Sequence, residues 1–128
     1  MMNSQASAAA GGVAALLAPA NAANTAAATS GSGAWLDVRQ YTGEILVMQA
    51  IGVTTGTITG KLQSATDNAG AGAADITGYT VTASTGAGVK TFIVDPRVVP
   101  GGFLGYVGTI VTGPVQVAVM AAGKKQVV

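Results

Sequence analysis

The chain has 128 residues, enough for one domain around a single core, with six basic and five acidic residues and a formal charge of +1. Having no His and no Cys, it cannot assemble the Ser-His-Asp or Cys-His arrangements of nucleophilic catalysis. The same absence excludes disulfides and thiolate metal sites, and the scattered Lys and Arg give no footprint for nucleic acid. Apolar residues make up 49% of the chain and charged ones 9%, where about a quarter charged is usual. Much of the surface is therefore expected to be covered by partners.

No charge occurs before Asp37. The opening tract, residues 1 to 33, is mostly Ala, Gly, Ser, Asn and Thr, and reads as an extended N-terminal arm in front of a domain spanning 34 to 128. Ala8 to Leu17 has the composition for two or three helical turns, interrupted by Gly11 and Gly12 and ended by Pro19. The run AAGGVAALLAPANAA also has the form of a short export signal, but no Lys or Arg precedes Arg39 to supply its basic start. Ordering about thirty residues costs on the order of 30 to 60 kcal/mol of backbone entropy. Each buried Ala methyl returns only about 0.8 kcal/mol. The arm is accordingly expected to be ordered by a neighbouring subunit.

From Ala34 the pattern changes to period two with turn signals every eight to twelve residues, the form of an all-β antiparallel sandwich or barrel. Seven strands are expected: Trp35 to Arg39, Glu44 to Val53, Ile58 to Ala65, Thr77 to Ser84, Val89 to Asp95, Phe103 to Val111 and Val115 to Ala121. Ile58, Gly60 and Leu62 alternate with Thr59, Lys61 and Gln63, and Val115, Val117 and Val119 alternate with Gln116, Ala118 and Met120. Those are half-buried strands with a defined core side. The second strand differs, because Ile45, Val47 and Ile51 fall on one side and Leu46, Met48 and Ala50 on the other. Phe103, Leu104, Tyr106, Val107 and Ile110 repeat that two-sided pattern. Both strands are expected to be covered on their outer side, by the arm, by another subunit or by an internal loop.

The five carboxylates, Asp37, Glu44, Asp67, Asp75 and Asp95, lie apart in sequence with no polar cluster around them, so no glycosidase pair is marked. The loop Thr66 to Asp75 mixes Asp, Asn and Gly as calcium loops do, but has Ala69 and Ala71 where ligands would stand. Neither Gly70-Ala71-Gly72 nor Gly86-Ala87-Gly88 has the third glycine and helix of a phosphate cradle. A Lys–Asn isopeptide link would have to join Lys61 and Asn68, and Lys61 is on the polar side of its strand. No apolar run approaches the roughly 18 to 20 residues of a membrane helix. No enzyme activity, cofactor, metal, nucleic acid or membrane is expected.

The run from Glu44 to Asp67, the element Asp75-Ile76-Thr77-Gly78 and the later Gly105-Tyr106-Val107-Gly108-Thr109 resemble the small head decoration, or cement, proteins of tailed bacteriophages. The resemblance spans about residues 35 to 122. It implies a sandwich or jelly roll that binds the outer surface of the capsid, with the major capsid protein and copies of itself, as dimer or trimer, for partners. On this reading the contacts are expected from the arm, through Ala14, Leu16 and Leu17, from Trp35 where arm meets body, and from an apolar face carrying Leu46, Met48, Phe103, Leu104 and Tyr106. A second reading is an extracellular carbohydrate-binding or adhesin-type sandwich.

Overall fold

Alternating side chains become antiparallel strands whose inward residues share one core. The computed structural model describes residues 11–22, 27–30, 33–54, 56–80, 86–111 and 114–125. Nine strands run in order: β1 (Gly11–Ala22), β2 (Ala27–Thr29), β3 (Leu36–Asp37), β4 (Tyr41–Thr54), β5 (Thr57–Ala65), β6 (Ala74–Thr80), β7 (Gly88–Val94), β8 (Phe103–Val111) and β9 (Val115–Lys125). Two short 3-10 turns, Val38–Gln40 and Pro96–Val98, are the only helical elements among the described residues.

The strands form two packed antiparallel sheets, an all-β sandwich. The first sheet has the order β1-β9-β4-β7; the second has β2-β8-β5-β6, with β3 also paired to β8. Because β5 lines the whole of β8, from Thr57 opposite Val111 to Ala65 opposite Phe103, β2 and β3 share the other side of β8. The pairing is nested, with β1 on β9, β2 and β3 on β8, β4 on β7, and β5 on β6.

The core lies between the sheets. Ile45, Val47 and Ile51 of β4 and Val115, Val117 and Val119 of β9 face Ile58 and Leu62 of β5 and Leu104, Tyr106 and Ile110 of β8. One polar contact is sealed among them: the Tyr106 hydroxyl donates to Oε1 of Gln49, and both side chains are fully buried. Glycines make the room, since a Cβ at Gly60 would collide with both side chains and one at Gly108 with Ile58 and the Tyr106 ring.

The opening tract is the main correction. Residues 11–22 are neither helical nor an arm set apart from the body. They form an edge strand along β9, from Gly11 opposite Lys124 to Ala22 opposite Val115. Leu16 is fully buried in the common core. Ser30 fastens the tract: its Oγ donates to the Leu16 carbonyl at 2.6 Å and accepts from the Tyr106 N–H at 2.9 Å. The Ser30 N–H also donates to the Tyr106 carbonyl at 2.9 Å. The entropy of ordering these small residues is thus opposed by ladder hydrogen bonds within the chain, which side-chain burial alone leaves out. A boundary at residue 33 therefore divides one sandwich, and residues 1–10 of the expected arm lie outside the described residues.

The seven expected strands all have counterparts. Phe103–Val111 agrees at both ends, while β4 extends through Tyr41 and Thr42 and β9 runs on to Lys125. Trp35 to Arg39 shortens to β3 because Asp37 caps a 3-10 turn, accepting from the Arg39 N–H at 3.0 Å. Thr77 to Ser84 is displaced to Ala74–Thr80, and residues 81 to 84 lie outside the described residues.

Candidate interaction face

The two outer surfaces of the sandwich differ in chemistry. On the first sheet the side chains opposite the core come from three neighbouring strands in register. Leu46 stands between Ile93 and Ala122, Met48 between Thr91 and Met120, and Ala50 between Val89 and Ala118. Val89 is 63%, Ile93 57% and Leu46 37% exposed, large values for apolar side chains. Ala15 of β1 is exposed beside Met120. These rows contain no charge; Gln116, Glu44 and Lys124 stand at the ends of the strands.

The outer surface of the second sheet is mainly polar. It presents Thr59, Lys61 and Gln63 of β5 and Thr109 of β8, with Val107 and the exposed Val111 of β8 beside them. Asp75 of β6 accepts from Lys61 Nζ at 3.0 Å and from Gln63 Nε2 at 2.7 Å. These hydrogen bonds, the one from Gln63 foremost, lower the Asp75 pKa below the ordinary carboxylate range. Its largest apolar group packs against the sheet: Trp35, 6% exposed, lies over Gly105, where a Cβ would collide with the indole. Gly70, at φ 89°, also borders the ring, and a Cβ there would stand 2.8 Å from Nε1.

Most other charges collect at one end of the sandwich. Two Asp-x-Arg turns are built alike there. Arg39 Nη2 is 2.9 Å from Asp37 Oδ2 and Arg97 Nη2 is 2.8 Å from Asp95 Oδ2, each Asp also accepting from its Arg backbone N–H. Hydrogen bonding by the paired guanidinium holds both carboxyls below their usual range. Arg39 also lies 5.1 Å from the centroid of the Phe103 ring. A shallow cleft of about 270 Å³ beside them is lined by Tyr41, Glu44, Asp95 and Arg97, with Asp95 engaged by Arg97. Among the described residues no three His, Cys, Asp or Glu could hold a metal ion together, and no helix is long and apolar enough to cross a membrane.

The Thr66 to Asp75 loop turns on itself. Asp67 Oδ1 accepts from the N–H of Ala69 and of Ala71 at 2.9 and 3.0 Å, and Thr66 Oγ1 donates to the Ala71 carbonyl at 3.1 Å. Asp67 is thus a turn-forming acid. Lys61 meets Asp75, so the Lys61–Asn68 isopeptide arrangement is not formed.

Of the nine residues expected to make contacts, the open face brings together two, Leu46 and Met48. Leu16, Leu104 and Tyr106 are interior, and Trp35 is the roof over Gly105. The chain's own packing takes these four away from any partner, a correction to the sequence reading. Ala14 is half-buried opposite Ala121, Leu17 packs against the core, and Phe103 is half-buried beneath Arg39. Sequence reasoning missed Val89, Ile93, Met120, Ala118 and Ala122 as members of the face. Their signal was available in the outward positions of β7 and β9, which hold Ile93, Ala118, Met120 and Ala122 where polar residues are usual.

No protein-family model matches the chain, and no curated protein matches it.

Proposed function

We propose that this chain is a structural protein of a tailed-phage virion, docking on the outer surface of the assembled capsid through the open face of its first sheet. The observation that carries this reading is the uncharged surface of Leu46, Met48, Met120, Val89 and Ile93, because large exposed apolar patches on soluble proteins mark binding sites. The nested pairing adds support. With β2 and β3 taken as one strand, first pairs with last and each inner pair repeats the rule, as when a long hairpin is rolled into a jelly roll. That architecture recurs in viral capsid and lectin domains. A lectin needs polar groups converging on its ligand, whereas the exposed rows of this face are apolar, which favours contact with protein.

Docking would act by mass action. A chain that binds only the assembled shell stabilises each site by about 2.7 kcal/mol at a hundred times its dissociation constant. The edge strand β1 supports the face from within the same sheet, so the opening tract serves docking indirectly. Co-sedimentation with phage shells depleted of the chain tests the proposal. The native chain is expected to pellet with shells, and a Met48→Lys, Ile93→Lys double variant to lose at least about tenfold in affinity, from the desolvation of two charges. Equal binding by the variant contradicts it.

A further inference from the structure

β1 is held to the sandwich by an interrupted ladder and one buried contact. It lies at the edge of the first sheet and pairs with β9 alone. The ladder breaks twice between Ala15 and Ala20. Ala15 faces Met120 and Leu17 faces Val119, so Leu16 is an extra residue, and a second is inserted before Ala20 faces Val117. Each insertion is a bulge, which takes a residue out of the ladder, and Pro19 at the second has no N–H to donate. Among the described side chains of β1, Leu16 alone is fully buried, whereas β9 beside it buries Val115, Val117, Val119 and Ala121. The first bulge sets up the contact. Displaced from the ladder, the Leu16 carbonyl accepts from Ser30 Oγ at 2.6 Å. Ser30 itself is anchored on the second sheet, where it exchanges two hydrogen bonds with the Tyr106 backbone that do not involve β1.

We infer that β1 is a releasable strap with Ser30 as its latch: β1 lifts from β9 as a unit while the other strands stay folded. Segments open separately from the rest of a fold where they carry few buried apolar contacts, and β1 carries chiefly Leu16. Its ladder is divided into Gly11 to Ala15 and Ala20 to Ala22, two short pieces joined through the latched residue. Lifting it withdraws Leu16 from the core and breaks the hydrogen bond to Ser30 Oγ. The pairing of β4 with β7 and β9, and of β5 with β8, is untouched, because none of it runs through β1. What opening bares is the edge of β9. In a strand paired on both sides, successive N–H groups point alternately to the two neighbours, so about half of those from Val115 to Lys125 lose their acceptors and the rest stay bonded to β4. An edge of that kind accepts an extended segment as an added strand. The latch thus governs whether the first sheet is closed on this side.

Amide hydrogen exchange of the full chain at a series of low urea concentrations, read by mass spectrometry in peptides of β1, β9 and β5, tests this. The β1 amides and about half of those of β9 should exchange at least about tenfold faster than those of β5. Their urea dependence should be shallower, because releasing a strap exposes less surface than unfolding the sandwich. Two substitutions separate release from global unfolding. Ile76→Val, in β6, which pairs with β5 alone, weakens the closed and the lifted forms alike. It should speed β5 exchange about fivefold and leave β1 exchange unchanged. Ser30→Ala takes the donor from the buried Leu16 carbonyl and should speed β1 exchange about tenfold. If β1 follows β5 in its urea dependence, or is accelerated as much as β5 by Ile76→Val, there is no strap. If Ser30→Ala leaves β1 exchange unmoved, Ser30 is not the latch. Should that variant fail to fold, Ser30→Cys, with its weaker thiol donor, takes its place: faster β1 exchange supports the latch and unchanged exchange overturns it.

Discussion

The outer surfaces of the two sheets rest on the same core and obey the same period of two, yet one is mainly polar and the other mainly apolar. On the second sheet, outward positions of β5 are Thr, Lys and Gln, Asp75 ties two of them together, Trp35 is pressed onto Gly105, and Phe103 lies beneath Arg39, with Val111 left exposed at the end of β8. On the first, outward positions are mostly Leu, Met, Ala, Val and Ile, and among the described residues Val89, Ile93 and Leu46 stand exposed. Alternation tells which residues enter the core. Whether the opposite set faces water or a partner is decided by its own chemistry and by what the chain itself lays over it.

The largest effect that would test this contrast is at the roof. Trp35→Ala should destabilise the fold by about 3 to 5 kcal/mol, the range for deleting a buried aromatic, measured by denaturant unfolding. A loss below about 1 kcal/mol, the size of a surface change, would mean that the second sheet's outer side is not closed by Trp35. Next comes the polar contact between the sheets. Tyr106→Phe removes the hydroxyl that donates to the buried Oε1 of Gln49 and should cost about 1 to 3 kcal/mol. It should also change the alkaline response. Burial raises the Tyr106 pKa above the ordinary value of 10.0, so the folded chain keeps a proton that the unfolded chain releases. Stability from this group is intact below about pH 10 and declines as pH rises above it. The Phe variant should lose that component of the decline, and an unaltered alkaline profile would contradict the assignment.

Smaller again is the acid response of the polar face. With Gln63 and Lys61 lowering the Asp75 pKa, its contribution is present above the ordinary Asp value of 3.8 and is lost as pH falls through the lowered folded value. The group is exposed and salt screens it, so Asp75→Asn should flatten the acid limb of the stability profile only slightly; a steeper limb in the variant would contradict this. The smallest effect belongs to the open face. Leu46→Ser should shift stability by no more than about 0.5 kcal/mol in dilute solution, as surface substitutions do. A loss of 2 kcal/mol or more, typical of core positions, would show that Leu46 serves the fold.

From Leu36 onward the fold was legible because Val, Ile, Leu and Thr alternate there and Gly or Pro marks the joints. The opening tract was not. Ala and Gly carry no apolar period, and a lone Leu16 does not announce a core position, so β1 is strand because β9 offers it an edge. Nothing around Ser30 in sequence points to Leu16 and Tyr106, which lie 14 and 76 residues away. On the face, Leu46 and Met48 could be read because β4 is apolar on both sides. β7 hid its parity: Val89 and Ile93 alternate with Lys90 and Phe92, and the structure puts the lysine at the core-side parity. Trp35, placed by sequence at the junction of arm and body, sits there as a roof over Gly105 instead of as a contact.

The most direct test of the docking face is methionine footprinting of the native chain, free and bound to shells. Met48 and Met120 lie side by side on the open face, and Lys61, labelled by an amine reagent, reports on the other. Binding should suppress oxidation of both methionines while Lys61 labelling stays unchanged. Unprotected methionines, or protection of Lys61 in their place, would contradict the account.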